Sequence, residues 1–154
     1  MAYAESTSVP SDRSRAEIEK TLNRYGAEDF SYASRKDHAL IAFVAEGRQV
    51  AFTVPLPDRM SGDFWRTPTG KARKDTAAVE AYEQAVRQRW RALALVVKAK
   101  LEAVESGIVT FEQEFLAHIM LPGGTTVYEQ AAPAIATAYE TGTPTPLLQI
   151  GGPL

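Results

Sequence analysis

Tyr82-Glu-Gln-Ala-Val-Arg-Gln-Arg-Trp-Arg-Ala-Leu-Ala-Leu-Val-Val-Lys-Ala-Lys-Leu-Glu-Ala-Val-Glu-Ser-Gly107 is the stretch that organises this chain. Val79, Val86, Trp90, Leu93, Val97, Leu101 and Val104 recur by threes and fours. That spacing predicts a long helix from about Asp75 or Thr76 to Ser106, with these residues on one stripe and Gly107 as its stop. Glu80, Arg87, Arg91, Lys98 and Glu102 fall on a second face. Ala78, Ala81, Ala85, Ala92, Ala99 and Ala103 fall on a third, where small side chains admit another backbone or simply favour the helix.

Upstream, Ser14-Arg-Ala-Glu17 reads as a capping box, followed by Ile18, Leu22 and Tyr25 at helical spacing and Gly26 as a left-handed cap. An extended region follows. Phe30 and Tyr32 alternate with smaller residues, and Ser34-Arg-Lys-Asp37 is a polar break. His38–Ala45 and Arg48–Val54 flank Glu46-Gly47, a two-residue hairpin turn, and Pro55 and Pro57 end the ladder. Residues 58–75 form a long connector with Phe64-Trp65-Arg66, a Thr-Pro-Thr-Gly turn and Lys71-Ala-Arg-Lys74. Connectors of this length are often functional or disordered, and the two aromatics predict that part of this one docks on the body.

Beyond the long helix, Thr110 is placed to cap a short helix, Phe111–Met120, with Phe115, Leu116 and Ile119 inward. Pro122-Gly-Gly124 is a turn, and a last helix runs from Val127 to about Tyr139, with Pro133 kinking it or marking its start. The predicted class is therefore α+β: an N-terminal helix, a small antiparallel sheet, a long helix and two shorter C-terminal helices. Residues 1–10 are expected to be flexible, 11–142 to form one domain and 143–154 an extended tail.

The 154 residues suit a single domain, and 45% hydrophobic with 23% charged residues are ordinary globular values. A net charge of −2 argues against coating duplex DNA by bulk charge, although local basic patches are not excluded. The absence of cysteine removes disulfides, thiolate nucleophiles and cysteine-ligated zinc. The opening Met-Ala-Tyr-Ala-Glu-Ser-Thr-Ser-Val-Pro has no signal-peptide pattern, and no apolar run is long enough for a membrane span. A soluble intracellular protein with no membrane partner is the expectation.

Catalytic motifs are sparse. His118 has Glu114 four residues before it, but no third or fourth metal ligand is identifiable, and His38 beside Asp37 reads as structural. Thr67-Pro-Thr-Gly-Lys71 lacks the first glycine and the leading strand of a phosphate loop. No cofactor is implied, and no catalytic or metal-binding residue is assigned.

Nucleic-acid binding is the better-supported reading. Cations cluster at Arg13, Arg15, Lys20 and Arg24; at Arg66, Lys71, Arg73 and Lys74; and at Arg87, Arg89, Arg91, Lys98 and Lys100. Arginine forks suit phosphates, and Phe30, Tyr32, Phe43, Phe52, Phe64 and Trp65 include candidate stacking platforms for single strands. Against this, sheet aromatics are usually core, and Glu83 precedes Arg87 at ion-pair spacing. The candidate interface comprises Arg48, Arg66, Lys71, Arg73, Lys74, Arg87, Arg91 and Lys98. The alternative is a protein-interaction module using the alanine face and the Pro-Thr-Pro-Leu-Leu tail, with a host or phage protein, or a second copy of the chain, as partner.

Four segments carry a family resemblance: 15–27 (Arg-Ala-Glu-Ile-Glu-Lys-Thr-Leu-Asn-Arg-Tyr-Gly-Ala), 47–58 (Gly-Arg-Gln-Val-Ala-Phe-Thr-Val-Pro-Leu-Pro-Asp), 87–108 and Phe115-Leu-Ala-His-Ile-Met-Leu-Pro-Gly-Gly124. Together they resemble a family of small uncharacterised proteins of tailed bacteriophages and prophages, over nearly the whole chain. The departure is Val127-Tyr-Glu-Gln, where that family carries a Gly-Glu-Trp-like segment. The resemblance implies a phage protein acting in the cytoplasm of a host bacterium and carries no functional residue with it. The combined expectation is a non-enzymatic accessory factor that binds nucleic acid, single-stranded by preference, in replication or recombination; the alternative module would inhibit or redirect a host or defence protein.

Overall fold

A computed structural model describes residues 3–148; residues 1–2 and the end of the expected tail, 149–154, lie outside the described residues. The elements in order are α1 (Ser11–Tyr25), β1 (Glu28–Ser34), β2 (His38–Ala45), β3 (Arg48–Pro55), α2 (Gly62–Trp65), α3 (Asp75–Glu105), α4 (Phe111–Phe115), a 3-10 turn (Leu116–His118) and α5 (Val127–Thr141). This is the expected α+β arrangement.

Local chemistry explains the hairpin. Glu46 and Gly47 both have positive φ, 52° and 69°, as a two-residue turn of the primed type demands, and Ala45 pairs with Arg48. The strands form an antiparallel sheet in the order β1-β2-β3. Tyr32 pairs with Ile41 and Ile41 with Phe52, so these three side chains share one face. A register shift between Glu28 and Ser31, with Asp29 at φ 53°, bends the start of β1. The outer edge of β3 is covered by a bridge from Val50 to Ile119 and by the Met120 amide donating to the Gln49 carbonyl.

One core lies under that sheet face. Ile18 and Leu22 of α1 join Ile41, Phe43, Val50, Phe52 and Val54 of the sheet and Trp90, Ala94, Val97 and Leu101 of α3. At 31 residues α3 is about 46 Å long, and it packs along α1 and beneath the strands. Phe115 meets Phe43 and Phe52 edge-on at 6.1 and 6.2 Å and stacks on Phe111 at 4.7 Å, closing the end of the core.

Several expectations are corrected. Helix α1 starts at Ser11 after Pro10, so Ser14 is not its cap; it is fully buried, its Oγ has no hydrogen-bond partner among the described residues, and Glu17 pairs with Arg91 instead. Leu116 is exposed rather than inward, because the chain tightens into a 3-10 turn after Phe115 and rotates that side chain out. Val79 is also exposed, and Ala78 and Ala94 take core positions on α3 instead. The alanine face is not a uniform contact surface: Ala78 is buried, Ala81, Ala85, Ala92 and Ala103 are half-buried, and Ala99 is exposed. Helix α5 contains Pro133, starts at a capping box between Thr126 and Glu129, and ends at Gly142 with φ 69°.

The N-terminal segment and the connector both make contacts with α3. Ala4 is buried, and the Gln84 side-chain amide donates to the Glu5 and Thr7 carbonyls at 3.1 and 2.8 Å, tying the N-terminal segment to α3. The connector folds on itself through an Arg66–Ala72 bridge and docks Phe64 edge-on against Tyr82 at 5.7 Å. Among the described residues, no helix is long and apolar enough to cross a membrane.

A candidate nucleic-acid groove beside the long helix

The eight candidate cations do not share a face. Arg48, at the β2–β3 turn, lies 3.7 Å from Glu112. Arg66 donates to the Gly70 carbonyl, and Arg73 donates to the Asp63 and Phe64 carbonyls, so both brace the connector from within. Lys71 and Lys74 are exposed in that loop. Arg91 forms a 2.7 Å ion pair with Glu17, a bond between α3 and α1 that removes its charge from solvent-facing work. Lys98 is exposed, but it lies 24 residues past Lys74, about 36 Å along the helix axis.

Arg87 has a different setting. Its neighbour is not Glu83: its Nε and Nη2 donate to Gln84 Oε1 at 3.1 and 2.7 Å. It lines a groove of about 890 Å³ walled by the first half of α3, the end of β1, the β1–β2 turn, the start of α1 and residues 5–8. Four cations face this space, Arg15, Arg35, Lys36 and Arg87, against two carboxylates, Glu5 and Glu83. Among the described residues none of the four pairs with a carboxylate.

The aromatic content of the groove follows from the sheet register. Tyr32, on the last turn of the pleat before the β1 edge ends, is 43% exposed and meets the buried Trp90 ring edge-on at 5.5 Å. The Arg15 guanidinium sits over both rings, 4.9 Å from Tyr32 and 5.1 Å from Trp90. An adjoining hollow of about 740 Å³ shares Lys36, Leu56 and Tyr82 with the groove, and Arg59 lies 4.9 Å over the Tyr82 ring. Asp37 and Asp58 also line that hollow, so its charge is mixed, and the positive excess is confined to the groove.

Of the eight candidate interface cations, the groove contains Arg87 alone. Arg35 and Lys36 were legible as a basic pair in a polar turn two residues after Tyr32, yet nothing local says that the turn faces α3. Of the candidate stacking aromatics, Phe43 and Phe52 are core, Phe30 packs against it, Phe64 and Trp65 are half-buried in the connector, and Tyr32 is presented to the groove.

The groups weighed for catalysis from sequence make contacts of their own. The His118 ring stacks on Phe52 at 4.1 Å, while Glu114 pairs with Lys100 at 3.2 Å. Burial, and secondarily the Lys100 charge, hold the His118 pKa below its ordinary value. Asp37 is held low chiefly by the hydrogen bond from His38 at 2.7 Å. Among the described residues no three His, Cys, Asp or Glu side chains come together as a metal cluster.

A second cleft, of about 940 Å³, is apolar. It lies between the 3-10 turn, α5 and the chain's tail, and it contains the partly exposed Leu116, Tyr128, Ile135, Leu147 and Leu148. No protein-family model, curated protein or solved structure matches the chain.

Proposed function

We propose that this protein binds single-stranded nucleic acid along the groove beside α3, as a non-enzymatic accessory factor. In the setting implied by the sequence resemblance, that is replication or recombination of a phage genome inside a bacterium. The observation that carries the reading is the convergence of Arg15, Arg35, Lys36 and Arg87 around the exposed ring of Tyr32. A flexible strand needs phosphate contacts at intervals and a π-face for an unstacked base, and stacking is indifferent to base identity. The four cations support the first need and the exposed part of the Tyr32 ring, beside Arg15, supports the second. A duplex holds its bases inside and cannot use Tyr32, so single strands are preferred.

The test is fluorescence anisotropy of labelled single-stranded and duplex oligonucleotides over a salt series. Binding should weaken steeply with salt and favour the single strand. Tyr32→Ala should weaken it by about 1–3 kcal/mol, the usual worth of one stacked base. Absence of binding at low salt, where phosphate contacts are strongest, sinks the reading.

A protein-interaction reading is favoured by one observation, the five partly exposed apolar side chains gathered in the second cleft. Under it, Leu116→Asp or Tyr128→Asp abolishes stoichiometric copurification of a protein from host lysate while oligonucleotide affinity is unchanged. Equal copurification with either variant removes it.

A further inference from the structure

The groove's phosphate-facing arginine is held by an uncharged partner, and that partner is held by the N-terminal segment. Gln84 uses both ends of its amide. Its nitrogen donates to the Glu5 and Thr7 carbonyls at 3.1 and 2.8 Å, across more than seventy positions of sequence, and its oxygen accepts twice from Arg87. A carboxylate at this place would have cancelled the arginine's charge. An amide fixes the guanidinium and leaves the charge intact, with its remaining N–H groups free to donate.

Resting on the nucleic-acid reading above, we infer that Gln84 is a positioning residue for Arg87, and that residues 4–9 belong to the binding site as the element that orients Gln84. The physical reason is preorganisation. A free arginine side chain samples many rotamers and loses that freedom when it grips a phosphate. Here the loss is taken on folding: Ala4 is buried, Glu5 to Ser8 wall the groove, and the chain from Thr7 to α1 is shortened by the Val9 amide donating to Thr7 Oγ1 at 3.2 Å. The segment thus aims a cation into the groove through backbone carbonyls, while its own Glu5 adds a carboxylate to the wall.

The experiment is a double-mutant cycle on the full chain, with a labelled oligothymidylate as probe and affinity read over a salt series. Arg87→Ala should weaken binding and lower the salt slope by about 0.7, one single-strand phosphate contact. Gln84→Leu, which keeps size and loses both hydrogen-bonding ends, should weaken binding roughly three- to tenfold with the same loss of slope. In the Arg87→Ala background it should change nothing further, because Gln84 acts through Arg87. Amide exchange of residues 4–9 should accelerate in Gln84→Leu. Should that variant fold poorly, Gln84→Ala serves: it loses both hydrogen-bonding ends without adding a charge and should show the same loss of slope.

Wild-type affinity in Gln84→Leu, or effects of Gln84→Leu and Arg87→Ala that add, overturns the positioning role while the nucleic-acid reading stands. No binding by the wild-type protein at low salt overturns both.

Discussion

Arg91 and Arg87 lie one helical turn apart, and their predicted behaviours are opposite. Arg91 Nη1 lies 2.7 Å from Glu17 Oε2, and the two side chains are 24% and 39% exposed. At that separation the Coulomb attraction is about 1.5 kcal/mol if water screens it fully and about 6 kcal/mol at an effective dielectric of 20, before desolvation and side-chain ordering are subtracted. Fully exposed pairs net about 0.2–1 kcal/mol, whereas breaking a fully buried pair costs about 3–5 kcal/mol. A half-screened pair tying α1 to α3 should therefore show a coupling of about 1–1.5 kcal/mol. Arg91→Met, Glu17→Gln and the double variant, followed by urea unfolding, form the cycle that measures it. The midpoint should fall in each single variant with little change in the denaturant slope, and Arg91→Met should keep wild-type oligonucleotide affinity. A coupling under about 0.3 kcal/mol, or an Arg91→Met protein with normal stability and lost binding, refutes the assignment of Arg91 to structure.

Phe115→Ala removes a fully buried ring that touches Phe43, Phe52 and Phe111, and it should cost about 3–5 kcal/mol, seen calorimetrically as a Tm lower by roughly 10 °C. The His118 pKa is held below 6.5 by burial and Lys100, so the unfolded chain takes up that proton first as pH falls. Stability should therefore be full well above pH 6.5 and erode as the pH falls through that value toward the lower folded-state pKa. His118→Leu should flatten that part of a urea-midpoint profile, and an unaltered profile would count against the depressed pKa. Glu46, at φ 52°, sits in a left-handed conformation that asparagine tolerates better, so Glu46→Asn should raise the unfolding free energy in urea by about 0.5 kcal/mol; a lower value would mean that its contact with the Tyr25 hydroxyl at 3.5 Å outweighs the turn.

Elements with a local cause were readable from the chain. The three-and-four spacing around Trp90 gave α3 to within a residue of its observed bounds, Glu46-Gly47 gave the hairpin, and Thr110 gave the start of α4. Ser14 misled because its pattern is a capping box in form, but Pro10 fixes its own φ and starts the helix one turn earlier. Nothing in the composition of residues 1–10 points to a partner, and the contact made by Glu5 and Thr7 comes from Gln84 on another element. The candidate site suffered most. One of its eight residues, Arg87, lines the groove, while Arg15, Arg35 and Lys36 enter it from elements that the sequence does not join.

By itself the sequence determined most of the elements, their order and, Val79 apart, the apolar stripe of α3, since these depend on neighbours within a few positions. It also determined how many cations and carboxylates there are. Which of those charges remain free was decided only by the tertiary structure. Arg91 meets Glu17 across 74 positions, Lys100 meets Glu114, and Arg87 is met by an uncharged glutamine, which leaves its charge to the groove. Charge pairing is a short-range contact between distant parts of the chain, so a helical wheel shows where a cation points but not what waits there.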